Sequence, residues 1–397
     1  MKREAREATR IIHSYRNPSE QSGVVNTPLY QSSTIIFDTY QDLLDKESEN
    51  EDANIAKLKY GRYGSKTNFT LENSLAEIEN GFGAIITSCG MAAISTTILS
   101  YIEQGDHILL SDNCYYPIRH IVSSFLKNFG IEVTYFDADI GIDIEKLIQK
   151  NTKLIFLESP GSLTFEIADI KVITAITKKY NIKSILDNSW SSGIYYKAFE
   201  NNVDISILAV TKYINGHSDV MIGAVIAKEQ EDYNRIHATY RTLGTAVSPF
   251  SAYLTLRGMR TMKVRMKESQ NSALEIAKWL ESMPQLSKVF YPALESNEYH
   301  DIWKRDFTGA AGLFTIQFDK KYSAQKLSTF YDNLNYFGMG YSWGGYESLI
   351  LPFGLDGARS VTKNKYQDRS FARINIGLED VEDLKEDLEE GLKRLSR

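Results

Sequence analysis

The sequence predicts an α/β protein: a large domain built on a mostly parallel sheet, followed by a smaller α+β domain at the C-terminal end. Between residues 83 and 228, short apolar runs alternate with helical stretches, which is typical of a parallel sheet covered on both faces. After residue 258 this alternation stops, and a long helical stretch leads into new strand patterns. The length of 397 residues exceeds that of one ordinary domain, so we expect two.

Composition and charge limit the class of protein. With 43% hydrophobic and 24% charged residues, the chain is typical of a soluble globular protein. The 51 acidic and 45 basic residues give a net charge of −6 without any Lys/Arg block, so we expect no nucleic-acid partner. No signal-like or membrane-spanning apolar run is present, so we expect a cytoplasmic protein without membrane association. Cys89 and Cys114 match no zinc or redox spacing, and we predict buried thiols and no metal site.

The first 62 residues differ from the rest of the chain. They show no sustained period, contain Pro18 and Pro28, and include an acidic, polar run at residues 45–52. A segment of this kind cannot bury itself on its own domain. We therefore predict an N-terminal arm, residues 1–62, that contacts a neighbouring subunit of an oligomer.

The large domain, residues 63–258, begins with a predicted helix. Leu71, Leu75 and Ile78 share one face of it, and Gly81 or Gly83 can end it. Helices are also predicted at MAAISTTILSYIEQ and IVSSFLKNF. Strands are predicted at the short apolar runs GAIITSC, HILLSDN, EVTYFDA, KLIFLESP, SILDNS, ISILAVT and GAVIAK.

The small domain, residues 259–397, starts within a long predicted helix, RGMRTMKVRMKESQNSALEIAKWLESM, and we place the boundary near Gly258. Strands are predicted at SKVFYP, GLFTIQF and ARINIG. A last helix carries acidic residues first and basic residues last, as the helix dipole favours. Its apolar stripe consists of Val381, Leu384, Leu388, Leu392 and Leu395.

Polar residues that close the apolar runs are the first candidates for a site, because ligands bind beyond the carboxyl ends of parallel strands. Gly90 opens a helix whose free N–H groups favour a phosphate dianion, although a glycine there also fits a plain turn. Asp187 ends the run SILD and either caps the next turn or pairs with a pyridinium nitrogen. Lys212 stands between a buried strand and a Gly-His-Ser-Asp turn, where a lysine is rarely placed for packing.

Asp187 and Lys212 together indicate pyridoxal 5'-phosphate (PLP). They lie 25 residues apart (212 minus 187) on what we expect to be neighbouring strands, as the ring nitrogen and the aldehyde carbon of PLP require. Partial desolvation of Lys212 lowers the pKa of its amine, which favours Schiff-base formation and proton transfer. Thr211 is a candidate for phosphate binding, and Tyr115 either stacks on the pyridine ring or has a structural role.

Nearly from end to end, the chain resembles the Cys/Met-metabolism family of PLP-dependent enzymes. The motifs that carry the resemblance are YGRYG at 60–64, IEQGDHIL at 102–109, FLESPGSLTFE at 156–166, DNSW at 187–190, TKYINGHSD at 211–219, SPFSAYLTLRGMRT at 248–261, YSWGGYESL at 341–349 and RINIGLEDVEDL at 373–384. The resemblance implies the PLP-dependent transferase-like fold (fold type I, aspartate-aminotransferase-like). It also implies a homotetramer made of two active dimers.

By motif position, the resemblance implies roles at the cofactor. Lys212 would be the catalytic Schiff-base lysine, Asp187 would pair with the pyridine nitrogen and Tyr115 would stack on the ring. The phosphate would be held by Gly90, Met91 and Thr211 of the same chain and by Tyr60 and Arg62 of the neighbouring subunit.

At the substrate end, the resemblance implies that Arg373 clamps the α-carboxylate and that Ser342 and Trp343 line the same end. Trp343 occupies a position where the γ-acting relatives usually carry a smaller residue, although it also fits simple packing beside a Gly-Gly turn. The implied reaction is β-elimination of L-cystathionine to homocysteine, pyruvate and ammonia, a transsulfuration step of methionine biosynthesis.

Three departures from the family pattern concern phosphate and substrate binding. Ala209 replaces a frequent serine, Tyr63 replaces a frequent second arginine, and residues 240–245 look closer to the γ-acting relatives. An amino-acid racemase, for example of alanine, is therefore an alternative. Cystathionine γ-lyase, methionine γ-lyase, cystathionine γ-synthase and a non-catalytic PLP-bound regulator are others.

Overall fold

The computed structural model describes residues 5–48, 58–366 and 368–396. Residues 49–57 of the predicted arm lie outside the described residues. In chain order the helices are α1 (Glu7–His13), α2 (Tyr40–Ser48), α3 (Lys66–Glu79), α4 (Gly90–Leu99), α5 (Tyr116–His120), α6 (Ile170–Lys179), α7 (Gln230–Leu243), α8 (Pro249–Met259), α9 (Met262–Leu280), α10 (His300–Asp306), α11 (Ala324–Tyr331) and α12 (Val381–Ser396). The strands are β1 (Gly83–Thr87), β2 (His107–Ser111), β3 (Glu132–Phe136), β4 (Thr152–Glu158), β5 (Lys183–Asp187), β6 (Ile205–Leu208), β7 (Gly223–Ala227), β8 (Leu286–Phe290), β9 (Leu313–Phe318), β10 (Gly338–Met339), β11 (Leu349–Phe353) and β12 (Phe371–Asn375).

A seven-stranded sheet forms the centre of the larger part of the molecule, in the order β1-β7-β6-β5-β4-β2-β3. Only β7 among these strands runs against its neighbours, so the predicted mostly parallel sheet is confirmed. All seven predicted strands are present. Every residue of β1, β2, β6 and β7 is buried, which explains why these strands are continuous apolar runs rather than alternating ones.

The register of the sheet positions the site. Glu158 at the end of β4 pairs with Asp187 at the end of β5, and Asp187 pairs with Ile207 in β6. Lys212 follows β6 by four residues, and α4 begins just beyond β1 at Gly90. The carboxyl ends of these parallel strands therefore meet at one edge of the sheet, as a ligand site requires.

A five-stranded sheet in the order β10-β11-β12-β9-β8 forms the smaller part. The predicted strands β8, β9 and β12 are confirmed, whereas β10 and β11 were not predicted. The last helix, α12, is also confirmed, and its apolar stripe is buried at Leu384, Leu388, Leu392 and Leu395. The domain boundaries after residues 62 and 258 stay a prediction.

Three helix predictions need correction. Helix α3 ends at Glu79, because the next residue, Asn80, has a left-handed conformation (φ 58°) that stops the helix before either glycine. The segment IVSSFLKNF forms a π-turn (Ile121–Phe125) and a 3₁₀ turn (Leu126–Phe129), with the Ser124 hydroxyl bonded to the His120 carbonyl. The long helix predicted from Arg257 to Met283 is interrupted near its start, where residues 257–259 end α8 and α9 begins at Met262. The division follows Gly258, where an added Cβ would lie 2.1 Å from the Asn215 carbonyl oxygen.

The N-terminal segment has two parts. Helix α1 packs on its own chain, where Ile11 is buried and Arg260 donates to the carbonyl oxygens of Ile11 and Ser14. Beyond it, apolar side chains such as Ile36, which is 86% exposed, face outward. Within the described ranges, no helix is both long enough and apolar enough to cross a membrane.

Candidate active site

A pocket opens at the carboxyl edge of the large sheet, where the loop before β11 and strand β12 approach it. Nine of the predicted site residues line it together: Gly90, Met91, Tyr115, Asp187, Thr211, Lys212, Ser342, Trp343 and Arg373. They come from segments separated by up to 283 residues of sequence (373 minus 90), and only the tertiary fold brings them together.

Lys212 has its amine inside this pocket. Its Nζ donates to Ser342 Oγ at 2.7 Å and lies 5.2 Å from the centre of the Trp343 ring. Burial and, to a smaller extent, the neighbouring Arg373 lower the pKa of Lys212 to about 8, while Asp187 acts in the opposite direction. A substantial fraction of the amine is therefore neutral near physiological pH, as a nucleophile or a proton acceptor needs.

Asp187 is buried at the end of β5. One carboxylate oxygen accepts the backbone N–H of Ser189 at 3.0 Å. Burial raises the pKa of Asp187, since its charge lies in a poorly hydrated site. A carboxylate in this position is favoured by a cation placed against it, and a protonated pyridine nitrogen is such a cation.

The N-terminus of α4 forms another end of the pocket. Cys89 caps the helix, with its Sγ accepting the Ala92 N–H at 3.4 Å, and the first N–H groups of a helix lack intrahelical partners. Strand β7 comes very close here: an added Cβ at Gly223 would lie 2.4 Å from the Cys89 carbonyl oxygen. The result is a narrow cradle of backbone donors that suits a phosphate dianion.

Two hydroxyl groups lie beside this cradle, those of Thr211 and Ser189. Thr211 Oγ1 donates to the Ile222 carbonyl at 3.0 Å and accepts the Ile222 N–H at 2.8 Å, so it is committed to the backbone. Ser189, which sequence reasoning missed, lines the pocket and accepts the Ala209 N–H at 2.6 Å. Its hydroxyl also hydrogen-bonds the Asp187 carboxylate, and this contact lowers the pKa of Asp187 against the larger effect of burial.

Arg373 and the loop of residues 341–346 form the opposite end. Arg373 Nη2 donates to the Ser342 carbonyl oxygen at 2.8 Å. Burial lowers the pKa of Arg373 to about 10, which leaves the guanidinium charged at neutral pH. Ser342 has a positive φ of 81°, a conformation rare for a non-glycine residue and typical of functional loops.

Tyr115 stands at the pocket and is half-exposed. Its backbone N–H donates to Glu158 Oε2 at 2.6 Å, and Ser162 Oγ donates to Glu158 Oε1 at 2.7 Å. Burial raises the pKa of Tyr115, and the charges of Glu158 and Asp187 raise it further, so the phenol stays protonated at neutral pH. Glu158 also lines the pocket and was missed from the sequence, although it ends a predicted strand as Asp187 does.

Tyr60 and Arg62 do not line this pocket. They lie with Tyr63 on a different surface, where the Arg62 guanidinium is 4.6 Å from the Tyr63 ring centre and donates to the Arg241 carbonyl at 3.2 Å. Arg241 lies over the same ring at 4.2 Å. Tyr63 is thus held between two guanidinium groups away from its own chain's pocket.

The residues that line the pocket fit PLP group by group. The cradle at α4 matches a phosphate, Asp187 matches a ring nitrogen, and the Lys212 amine of lowered pKa matches an aldehyde. Arg373 remains for a carboxylate of a substrate.

Comparisons with known proteins agree with this geometry. A family model described as Cys/Met metabolism PLP-dependent enzyme matches residues 8–393. The cystathionine beta-lyase of Escherichia coli (strain K12) is 39% identical over 391 residues, which cover 98% of each chain. An L-alanine/L-glutamate racemase of Wolbachia pipientis wMel is 41% identical over 397 residues, again with 98% of each chain covered.

A solved structure supports the fold. The cystathionine gamma synthase from Xanthomonas oryzae pv. oryzae, determined in complex with cystathionine, is 28% identical to this chain, and the match covers 99% of both chains. Its TM-score of 0.89 confirms the predicted PLP-dependent transferase-like fold.

Proposed function

The chain belongs to the Cys/Met metabolism PLP-dependent enzyme family, and from this premise we propose that it is a cystathionine β-lyase, which cleaves L-cystathionine to homocysteine, pyruvate and ammonia. The observation that carries the proposal is the position of the Lys212 amine, 2.7 Å from Ser342 Oγ and over the ring of Trp343, in a pocket shared with Asp187 and Arg373. The similarity to the Escherichia coli cystathionine beta-lyase supports the choice of reaction.

Arg373 would bind the α-carboxylate of the substrate. Its guanidinium is fixed by the Ser342 carbonyl, and its planar fork matches a carboxylate in two-point contact. This contact would orient the Cα–H bond toward Lys212. Trp343 would close the same end and exclude water from it.

Lys212 would hold the cofactor in the resting enzyme and, once displaced by the substrate amine, remove the Cα proton. PLP, the cofactor of this family, supplies the electron sink that makes loss of this proton possible. The lowered pKa of Lys212 suits both roles, because a neutral amine accepts the proton. Asp187 would maintain the positive charge on the ring nitrogen that the sink requires.

Tyr115 would stack on the ring and supply a second proton-transfer group on the pocket wall. Because its pKa is raised, it serves as a proton donor rather than as a resting base. The departing homocysteine thiolate requires such a donor, or the Lys212 ammonium formed in the preceding step. The remaining aminoacrylate is hydrolysed to pyruvate and ammonia, which balances the reaction with one water.

The assembly and location belong to the same proposal. We propose a cytoplasmic homotetramer of two active dimers, in which Tyr60 and Arg62 complete the phosphate site of the neighbouring subunit. Their distance from their own pocket and the outward apolar side chains of the N-terminal segment support this assembly. The reaction would be a transsulfuration step of methionine biosynthesis.

The test is identification of the keto acid formed from L-cystathionine by the purified, PLP-loaded protein. We expect pyruvate with an equal amount of homocysteine. Release of 2-oxobutyrate would instead indicate γ-elimination, and dependence on a second substrate would indicate a synthase. Either result would refute the β-lyase proposal.

A second candidate is an amino-acid racemase, favoured by the 41% identity to the Wolbachia alanine and glutamate racemase. Racemisation needs no leaving group, only proton transfer at the two faces of Cα, and both Lys212 and Tyr115 line the pocket. Formation of D-alanine from L-alanine, or D-glutamate from L-glutamate, tests it by chiral chromatography. No D-enantiomer after prolonged incubation with active enzyme would exclude this candidate.

A further inference from the structure

Residues 358–362, from the loop between β11 and β12, lie against the large domain beside the pocket. Asp112, just beyond β2, accepts hydrogen bonds from three consecutive backbone N–H groups, those of residues 360–362, at 2.8, 3.1 and 2.8 Å. Charge-assisted bonds of this kind are strong and directional. Because Asp112 stands three residues before Tyr115, one loop carries both this anchor and a wall of the pocket.

Arg359 in this segment has its guanidinium buried, with only 5% of the residue exposed. Its Nη2 donates to the Ser162 carbonyl at 2.7 Å and to Thr164 Oγ1 at 2.8 Å, and Nη1 donates to the Ala358 carbonyl at 3.1 Å. These hydrogen-bond acceptors are neutral, and Nε has no hydrogen-bond partner among the described residues, but the charge of Arg359 lowers the pKa of the nearby Glu158 carboxyl. Burying this cation costs hydration free energy that neutral acceptors only partly offset, and its charge acts on Glu158, which lines the pocket.

The turn that Arg359 contacts, residues 161–165, forms a wall of the pocket in a strained conformation. Leu163 and Phe165 both line the pocket and have positive φ values of 73° and 57°. Such conformations are rare for non-glycine residues and persist only where the surroundings impose them. Arg359 binds Ser162 and Thr164, the residues on either side of Leu163, and so restrains the strained turn directly.

A chain of hydrogen bonds continues from this turn to Tyr115. Ser162 Oγ donates to one oxygen of Glu158 at 2.7 Å, and the other oxygen accepts the Tyr115 N–H at 2.6 Å. The Ser162 N–H also donates to the Asn113 carbonyl at 2.7 Å, which joins the turn to the Tyr115 loop a second time. The position of Tyr115 therefore depends on the position of the turn.

We propose that Arg359 is a positioning residue of the active site. It does not line the pocket, yet it fixes the 161–165 turn and, through Ser162 and Glu158, the backbone from which the Tyr115 ring projects. The small domain thereby sets the geometry of a pocket wall that belongs to the large domain. The inference rests on the proposed function only for the assignment of Tyr115 to the cofactor ring.

The test compares Arg359→Gln and Arg359→Lys with Lys363→Gln, a change of an exposed cation in the same loop. We expect Arg359→Gln to lower kcat about tenfold and to reduce the visible circular dichroism of bound PLP, because the ring is held less rigidly. Arg359→Lys should show a smaller loss, since an ammonium keeps the charge and can donate to both acceptors that the single nitrogen Nη2 binds. Lys363→Gln should match the wild type in both readouts.

A double-variant cycle tests whether Arg359 acts on Tyr115 through Ser162 and Glu158. Ser162→Ala breaks the bond to Glu158 but keeps the carbonyl that Arg359 binds, so the effect of Arg359→Gln should shrink in that background. Fully additive effects, or a folded Arg359→Gln protein with wild-type kcat and circular dichroism, would overturn the proposal. If Arg359→Gln does not fold, Arg359→Lys decides by the same readouts. Should the wild type fail to cleave cystathionine, the proposed function fails while the circular dichroism still tests Arg359.

Discussion

Lys212 shows at the residue scale how environment determines chemistry. An exposed lysine is almost entirely protonated at neutral pH, whereas burial brings the pKa of this amine to about 8. The neighbouring Arg373 contributes in the same direction, so the residue proposed to bind the substrate carboxylate also helps to keep the amine neutral.

The pKa of Lys212 predicts the pH dependence of cofactor attachment. Because only the neutral amine attacks the PLP aldehyde, and because the pKa is lowered, the attachment rate should rise about tenfold per pH unit below pH 8 and level off above it. Stopped-flow absorbance of cofactor-free protein mixed with PLP measures this rate. Lys212→Ala is the control and should show no attachment; a rise that continues to pH 10 would contradict the lowered pKa.

On cofactor binding, the Ser189 hydroxyl, which accepts the Ala209 N–H, is predicted to turn from Asp187 to the phosphate and to supply the hydrogen bond that Ala209 lacks. Ser189→Ala should weaken PLP binding about tenfold, the equivalent of one hydrogen bond to a charged group at about 1.5 kcal/mol. Equilibrium titration of the cofactor-free protein with PLP measures the change. Ala209→Ser added to this variant should recover part of the affinity, and an unchanged Kd in Ser189→Ala would remove Ser189 from the site.

At the scale of an element, the loop of residues 341–346 connects the small sheet to Lys212. Gly344 donates its N–H to Asn375 Oδ1 at 3.0 Å, and the Trp343 ring packs on Tyr213 with 5.7 Å between ring centres. An added Cβ at Gly344 would lie 2.9 Å from the Tyr213 backbone nitrogen. The loop therefore reaches Lys212 only because this position has no side chain.

Gly344→Ala should displace the loop and Trp343 with it. We expect a loss of about 1–2 kcal/mol of stability from the positive φ of 81°, plus a raised KM from the displaced loop. The control is Gly244→Ala, which has a similar φ of 70° but no atom within 4 Å of the added Cβ. Chemical denaturation measures the loss of stability, and steady-state kinetics measures KM. Equal KM values in Gly344→Ala and Gly244→Ala would show that the close contact at Gly344 is unimportant.

At the scale of the whole molecule, the described chain holds a pocket with most of the cofactor's expected partners, while Tyr60 and Arg62 lie elsewhere. The Arg62 guanidinium is ordered by Tyr63 and the Arg241 carbonyl, so it is presented at the surface in a defined geometry. Preorganisation of this kind suits a group that acts on a neighbouring subunit.

Mixed oligomers test this arrangement. Arg62→Ala and Lys212→Ala should each be nearly inactive, but in an active dimer one subunit would contribute Lys212 and the other Arg62. Random association of equal amounts should therefore restore about a quarter of the wild-type sites. Co-expression with two affinity tags, followed by an activity assay, measures the recovery. No recovery in verified mixed oligomers would place Arg62 outside the neighbouring site.

Much of the site was predictable because its residues end apolar runs. Asp187 and Lys212 follow buried strands, and Gly90 opens a helix after a strand, so hydrophobic patterning locates all three at one edge of a sheet. Glu158 follows the same rule but was overlooked. Ser189 and Arg359 lack such a signal, since a serine in a turn and an arginine in a loop are ordinary surface residues in sequence.

The sequence by itself determined the alternation of strands and helices, the mostly parallel sheet, the amphipathic last helix and the position of Lys212 and Asp187 at the ends of apolar runs. These features depend on local periodicity and on residue type, which neighbours in sequence define. Only the tertiary structure decided the division of the long helix beside Asn215, the commitment of Thr211 to Ile222, and the contact of Arg359 with Ser162, 197 residues away. Such contacts follow from how separate elements pack, and packing is a property of the whole fold.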